Sequence, residues 1–233
     1  IIKKCLFPAA GHGTRFLPAT KSIPKEMIPI VNNPLIQYGV EEAMAADINS
    51  MAIITSEGKE ALKNYFESQE KFEQTLADGK PIKELDQIRR IIETCNFSYA
   101  IQEEMKGLGH AILTGAELIG DEPFAVILPD DLCYAPEQGV LSQMVDLYMK
   151  YQCSIVAIEE VPKEETNKYG IIAGEEIEPG LIRITDMVEK PDSADAPSNL
   201  AIIGRYILTP DIFDIIRETP PGRNDEIQIT DAL

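Results

Sequence analysis

The chain has 233 residues, 44 % hydrophobic and 26 % charged, a balance that excludes a disordered chain, a collagen and a disulfide miniprotein. Lys+Arg 21 against Asp+Glu 39 leaves a formal net charge of −18, which repels nucleic acid and anionic lipid and argues against either as a main partner. No apolar run is long enough for a transmembrane helix, and Ile1-Ile2-Lys3-Lys4 leads straight into a strand-like run, unlike a signal peptide.

Cys5-Leu6-Phe7-Pro8-Ala9-Ala10 predicts a buried first strand running into a glycine-rich turn. Asn33-Pro34 reads as an N-cap with Pro at the first helical position, followed by Ile36, Val40, Ala43 and Met44 at helical spacing. Met51–Thr55 is the second strand. A long amphipathic helix is expected from Gly58 to Ala77, with Leu62, Tyr65, Phe66, Phe72 and Leu76 on its apolar side. After the Asp78–Pro81 break, Ile82, Leu85, Ile88 and Ile92 mark another helix. Phe97–Gln102 alternates as a strand, His110–Ile119 reads as a helix, and Phe124–Leu128 is a continuous apolar strand ending at Asp130-Asp131. A helix over Val140–Lys150 and a strand over Ser154–Ile158 follow. Beyond Val161-Pro162 come short β pieces at Tyr169–Ala173, Leu181–Val188 and Leu200–Leu208, then a helix near Pro210–Arg217. This alternation predicts an α/β fold, a mixed, mainly parallel sheet with helices on both faces, and ligands beyond the carboxyl ends of its strands. Cys5, Cys95, Cys133 and Cys153 form no C-x-x-C pair and read as reduced, mostly buried thiols of a cytoplasmic protein.

The sharpest feature is Pro8-Ala9-Ala10-Gly11-His12-Gly13-Thr14-Arg15, directly after the first strand. Gly11 and Gly13 permit close backbone approach to a phosphate and supply N–H donors. Arg15 can clamp phosphate oxygens with its planar fork. Alone, this reads sooner as a plain β–α turn, because such turns are common. Lys21 and Lys25 follow in the same loop, and three cations beside a glycine turn suit a triphosphate even in an acidic protein.

The run A-A-G-x-G-T-R-x-L-P-A-T-K-x-x-P-K-E-M resembles the signature of the sugar nucleotidyltransferases, in detail that of bacterial members acting on UTP and glucose 1-phosphate. The likeness continues through Gly107–Ala111, Asp130-Asp131, Val188–Pro191, Ala196–Ala201 and Glu226–Leu233, and so spans essentially the whole chain. It implies a Rossmann-like fold of the nucleotide-diphospho-sugar transferase type in a single domain over 1–233. Nucleotide would bind in about 1–135 and sugar phosphate in about 136–233. Members continue beyond Glu226–Leu233, so the expectation is that the family's C-terminal tail is absent here and that the full-length form is a homo-oligomer, a dimer or tetramer.

An acidic pair at a strand end opposite a phosphate loop is a natural Mg²⁺ anchor, though also an ordinary polar turn. The resemblance makes Asp130 the preferred metal ligand and has Asp131 support it or approach the nucleotide sugar. A carboxamide can read a pyrimidine edge. By resemblance Gln102, with the backbone of Ala9, Ala10 and Gly107, holds uracil, while Gly11, Gly13 and Thr14 form the nucleotide loop. Glu26 is expected to organise the Lys25 loop through a salt bridge. The likeness also implies that Glu189 grips the glucose hydroxyls, Lys190 the sugar phosphate, and Gly170 gives backbone access to the sugar. A surface ion pair is the plain alternative for Glu189-Lys190. Neither His12 nor His110 is assigned as acid or base. The implied activity is transfer of a uridylyl group, with Arg15, Lys25 and Lys190 as the catalytic cations. A thymidylyltransferase, another sugar-1-phosphate nucleotidyltransferase, and a non-catalytic regulatory subunit are the alternatives.

Overall fold

Alternation of side chains along β1 (Lys4–Pro8) divides the interior in two. Cys5 and Phe7 face one core and Leu6 the other, all fully buried. The same alternation runs through β4 (Ser50–Thr55), where Met51 and Ile53 oppose Ala52 and Ile54, and through β6 (Phe124–Ile127), where Ala125 and Ile127 oppose Phe124 and Val126. A sheet buried on both faces must be covered by helices. The structure, a computed structural model, describes residues 1–69, 75 and 82–233.

Two very short strands, β2 (Pro29–Ile30) and β3 (Asn33–Pro34), form a separate antiparallel ladder. Helix α1 (Leu35–Ala45) follows and lays Ile36, Val40 and Ala43 against the first core. Pro34, not Asn33, is its N-cap, because pairing of Ile30 with Asn33 keeps that stretch extended. After β4 comes α2 (Glu60–Tyr65), shorter than the expected Gly58–Ala77 helix. Phe72, Leu76 and the Asp78–Pro81 break lie outside the described residues. Helix α3 (Asp86–Thr94) buries Ile88 and Ile91 and leads to β5 (Asn96–Ile101).

The expected His110–Ile119 helix is two, α4 (Gly107–Thr114) and α5 (Ala116–Ile119), divided at Gly115. A Cβ there would lie 2.3 Å from Leu6 Cδ1, so glycine lets this turn press onto the central strand. Helix α6 (Val140–Tyr151) precedes β7 (Ile155–Glu160). The short β pieces expected later are full strands, β8 (Gly170–Glu178), β9 (Leu181–Glu189) and β10 (Leu200–Leu208). Helices α7 (Ile212–Glu218) and α8 (Ile229–Ala232) close the chain.

The main sheet runs β5-β4-β1-β6-β10-β8-β9, with β7 also paired to β10. β5, β4, β1 and β6 are mutually parallel; β10 is antiparallel to β6, β7 and β8, and β8 to β9. Both halves of the chain therefore share one sheet. The four parallel strands end at one edge, and they deliver the glycine loop, Ser56–Lys59, Gln102 and Asp130 there. Among the described residues no helix is long and apolar enough to cross a membrane. All four thiols are free; Cys5 and Cys95 are buried, but Cys133 is half-buried and Cys153 exposed, so the expectation of mostly buried thiols holds for only these two.

Candidate active site

The glycine loop leaves β1 with Ala9 and Ala10 buried and Gly11 to Arg15 turned outward, Gly13 half-buried and the rest exposed. Gly13 sits at φ +65, and a Cβ there would come within 2.9 Å of Lys25 Cβ, so the loop folds back against the lysine turn only because residue 13 is glycine. Lys25 Nζ donates to Asp130 Oδ2 at 2.7 Å, and Arg15 Nη2 approaches the same oxygen at 3.9 Å. Residues more than a hundred positions apart thus meet. Lys21 stands exposed at the end of the turn Ala19–Lys21 and makes no ion pair among the described residues.

Glu26 is fully buried and does form a salt bridge, with Lys59 rather than within its own loop, at 3.0 Å. Burial raises the Glu26 carboxyl above its usual range, against the pull of Lys59; burial lowers the Lys59 ammonium, against the pull of Glu26. Lys59 Nζ also donates to the carbonyls of Ala9 at 2.6 Å and Gly11 at 2.7 Å. Sequence reasoning passes over Lys59. The signal was its place, a lysine beside Gly58 just past the carboxyl end of β4, on the same edge as the glycine loop.

Gln102 is buried behind this loop. Its Nε2 donates to His110 Nδ1 at 2.9 Å and reaches the Gly107 carbonyl at 3.4 Å. Its Oε1 meets no donor among the described residues, which leaves an acceptor of the kind an imide N–H requires. His110, given no role by sequence, therefore orients the carboxamide. Gly107, at φ +89, lies under the C-terminal segment, where a Cβ would come 2.8 Å from Glu226 Cβ. Backbone hydrogen bonds from Gly109 N to Ile227 O and from Ile227 N to Lys106 O fasten that segment to α4.

At the other end, Glu189 closes β9. Its Oε1 accepts from Lys190 Nζ at 2.6 Å and its Oε2 from Thr230 Oγ1 at 2.9 Å. Lys190 sits at φ +46, a left-handed conformation that costs a non-glycine residue about 1–3 kcal/mol and is concentrated at functional sites. Gly170 is buried beside them; a Cβ there would fall 2.5 Å from Thr230 Cγ2 and 3.4 Å from Glu189 Oε2. The segment ending in α8 thus touches both the Gly107 end and the Glu189 end.

Asp131 turns away from Asp130: its Oδ2 accepts from Gly204 N at 2.7 Å. Together with Leu128 N, which donates to Gly204 O, it pins β10 where its register against β7 shifts. The next residue, Arg205, is buried and donates to Glu42 on α1 at 2.9 and 2.8 Å. Among the described residues no three His, Cys, Asp or Glu side chains are grouped to hold a metal. Mg²⁺ is ordinarily held by one or two carboxylates, with phosphate oxygens and water completing its shell. Asp130, partly exposed beside the phosphate loop, fits such an ion arriving with a nucleotide.

Comparison with known proteins bears on the whole chain. Residues 6–233 match the family described as nucleotidyl transferase. A UTP–glucose-1-phosphate uridylyltransferase of Pseudomonas aeruginosa is 63 % identical over 234 residues, covering 100 % of this chain and 84 % of that protein. A crystal structure of UDP-glucose pyrophosphorylase complexed with UDP-glucose superposes with a TM-score of 0.92 at 64 % identity, over 100 % of this chain and 85 % of the other. The UTP-bound UGPase from Acinetobacter baumannii gives a TM-score of 0.89 at 39 % identity, over 100 % and 81 %.

Proposed function

The chain belongs to the nucleotidyl transferase family, and from that premise we propose that it transfers the uridylyl group of UTP to glucose 1-phosphate, giving UDP-glucose and pyrophosphate. The observation that carries this reading is the meeting of Lys25 and Arg15 with Asp130 at the mouth of the glycine loop. The high identity to a named uridylyltransferase supports the choice of UTP and glucose 1-phosphate.

A phosphate oxygen of glucose 1-phosphate attacks the α-phosphorus of UTP, and the bond from that phosphorus to the bridging oxygen breaks. Pyrophosphate leaves with the electron pair. The nucleophile is already an anion, so no side chain need take a proton. The barrier is repulsion between anions and the cost of aligning them, and the residues act on those two terms. Arg15 and Lys25 neutralise the triphosphate, and Lys190 the sugar phosphate. Gly11, Gly13 and Thr14 present the loop to the phosphates. Gln102 and the backbone of Ala9, Ala10 and Gly107 hold uracil, and Asp131 keeps β10 against this wall. Glu189 accepts from the glucose hydroxyls beside Gly170. Asp130 would hold Mg²⁺, which when bound supplies positive charge to the phosphates.

In this reading residues about 1–135 bind the nucleotide and about 136–233 the sugar phosphate. Four free thiols suit a reducing compartment, and we assign the enzyme to the cytoplasm. A homo-oligomer, dimer or tetramer, is the expected state, measured by sedimentation. The central test is pyrophosphate release with UTP, glucose 1-phosphate and Mg²⁺, against TTP, minus-sugar and chelator controls. Release that needs UTP, sugar phosphate and Mg²⁺ together is expected; equal release with TTP, or release without the sugar, overturns the assignment.

A further inference from the structure

The glycine loop is held from behind by Lys59, whose side chain is only 10 % exposed. Lys59 Nζ donates to the carbonyls of Ala9 and Gly11 at 2.6 and 2.7 Å, and to the Glu26 carboxylate at 3.0 and 3.2 Å. Ser56 Oγ donates to the intervening carbonyl of Ala10 at 3.1 Å. Three successive carbonyls therefore turn toward the segment 56–59. In a planar trans peptide the carbonyl of one residue and the amide of the next point in opposite directions. Fixing the carbonyls of residues 9, 10 and 11 inward fixes the amides of Ala10, Gly11 and His12 outward. Those amides find no acceptor among the described residues, whereas the preceding amide, Ala9 N, donates to Ile54 O. A row of outward amides is a cradle for an anion. An ammonium has three donors, and here they are taken by two carbonyls and one carboxylate. Lys59 is thus unlike Lys25 and Arg15, which turn to Asp130 rather than to the loop's carbonyls.

We propose that Lys59, neutralised by Glu26, is a positioning residue for the nucleotide: it sets the carbonyls of the glycine loop so that the amides of Ala10, Gly11 and His12 meet the bound UTP. The inference rests on the reading of this loop as the nucleotide site. It predicts an effect on the nucleotide alone, since Lys59 makes no hydrogen bond to the Glu189-Lys190 end.

The test compares wild type with Lys59→Met and with the pair Glu26→Gln plus Lys59→Met. The double variant leaves no unpaired buried charge and keeps the test open if the single variant fails to fold. The dissociation constant of UTP is measured by calorimetry and both KM values by pyrophosphate release. The UTP constants should weaken on the order of tenfold or more, since small misplacements of positioning groups are costly, while the KM for glucose 1-phosphate stays within about twofold. Amide hydrogen exchange on the wild type gives a second readout, with protection at Ala10, Gly11 and His12 on addition of UTP. UTP binding unchanged in the double variant, both KM values rising together, or no protection at those amides would each overturn the proposal. Wild type that binds UTP without releasing pyrophosphate would sink the transferase reading, while the calorimetric comparison still decides the role of Lys59. Wild type that does not bind UTP would end both.

Discussion

Lys190, which we propose meets the sugar phosphate, is held in place by the fold itself. Its backbone at φ +46 is unfavourable for a lysine, and its amide donates to the Tyr169 carbonyl at 2.9 Å, which holds the turn at the end of β9. The turn brings its ammonium onto Glu189, whose other oxygen is occupied by Thr230. A charge fixed in this way requires little reorganisation when a dianionic sugar phosphate approaches. Lys190→Ala should raise the KM for glucose 1-phosphate and lower kcat, with a combined loss of transition-state energy on the order of 2–4 kcal/mol. Steady-state kinetics with each substrate varied in turn checks it; an unchanged sugar-phosphate dependence would remove Lys190 from the site.

At the scale of elements, the C-terminal segment is the clamp of the site. It runs under Gly107 and Gly109 and ends with Thr230 on Glu189. Gly109 is buried in α4, and a Cβ there would stand 2.8 Å from both Ile227 Cγ2 and the Ile227 carbonyl. Backbone cannot yield as a flexible side chain can, so Gly109→Ala should push the segment off the helix. The expected destabilisation is about 1–3 kcal/mol, typical of overpacking, with a raised KM for UTP as Gly107 shifts. Urea denaturation with and without UTP measures both, and wild-type values in each would show that the segment is no clamp. The elements themselves were legible in the sequence because a doubly buried strand announces itself as a run such as Phe124–Ile127, and an amphipathic helix by its spacing. Lys25 and Asp130 were legible because each belongs to a contiguous motif. Lys59, His110 and the Asp131–Gly204 contact were not, since each acts through a partner set by tertiary packing. The division of the His110–Ile119 stretch was hidden for the same reason: Gly115 answers to Leu6, a residue on another element.

Across the whole molecule, one sheet carries both proposed substrate regions, and its two halves are joined where β10 lies antiparallel to β6. That seam is crossed by the buried pair of Arg205 on β10 and Glu42 on α1, whose other oxygen accepts from Leu141 N at the start of α6. Burial works against the Arg205 guanidinium, but the hydrogen bonds and charge of Glu42 outweigh it and raise its pKa. Several acidic groups of the interior, from this seam out to the β5 edge, resist ionisation. Burial pushes the Cys5 thiol well above its usual range despite the nearby Arg205 charge, the Cys95 thiol up to about 11 and the Tyr99 phenol up to about 12; burial raises Tyr206 as well. In the unfolded chain these groups lose their protons near their ordinary values of 9.0 and 10.0. Above pH 9 the unfolded state therefore releases protons that the folded state retains, and stability must fall as pH rises. For Cys95 the fall runs from 9 to about 11 and for Tyr99 from 10 to about 12. Lys59 opposes the trend, because its lowered ammonium favours the folded state as pH rises, but it is one base against several buried acids. Urea midpoints at intervals between pH 8 and pH 11 should decline steadily from about pH 9. Cys95→Ala should make the decline shallower in the lower part of that range, because the thiol that ionises only on unfolding is gone. Midpoints that stay level to pH 11, or a variant as steep as the wild type, would show that these groups do not govern alkaline stability.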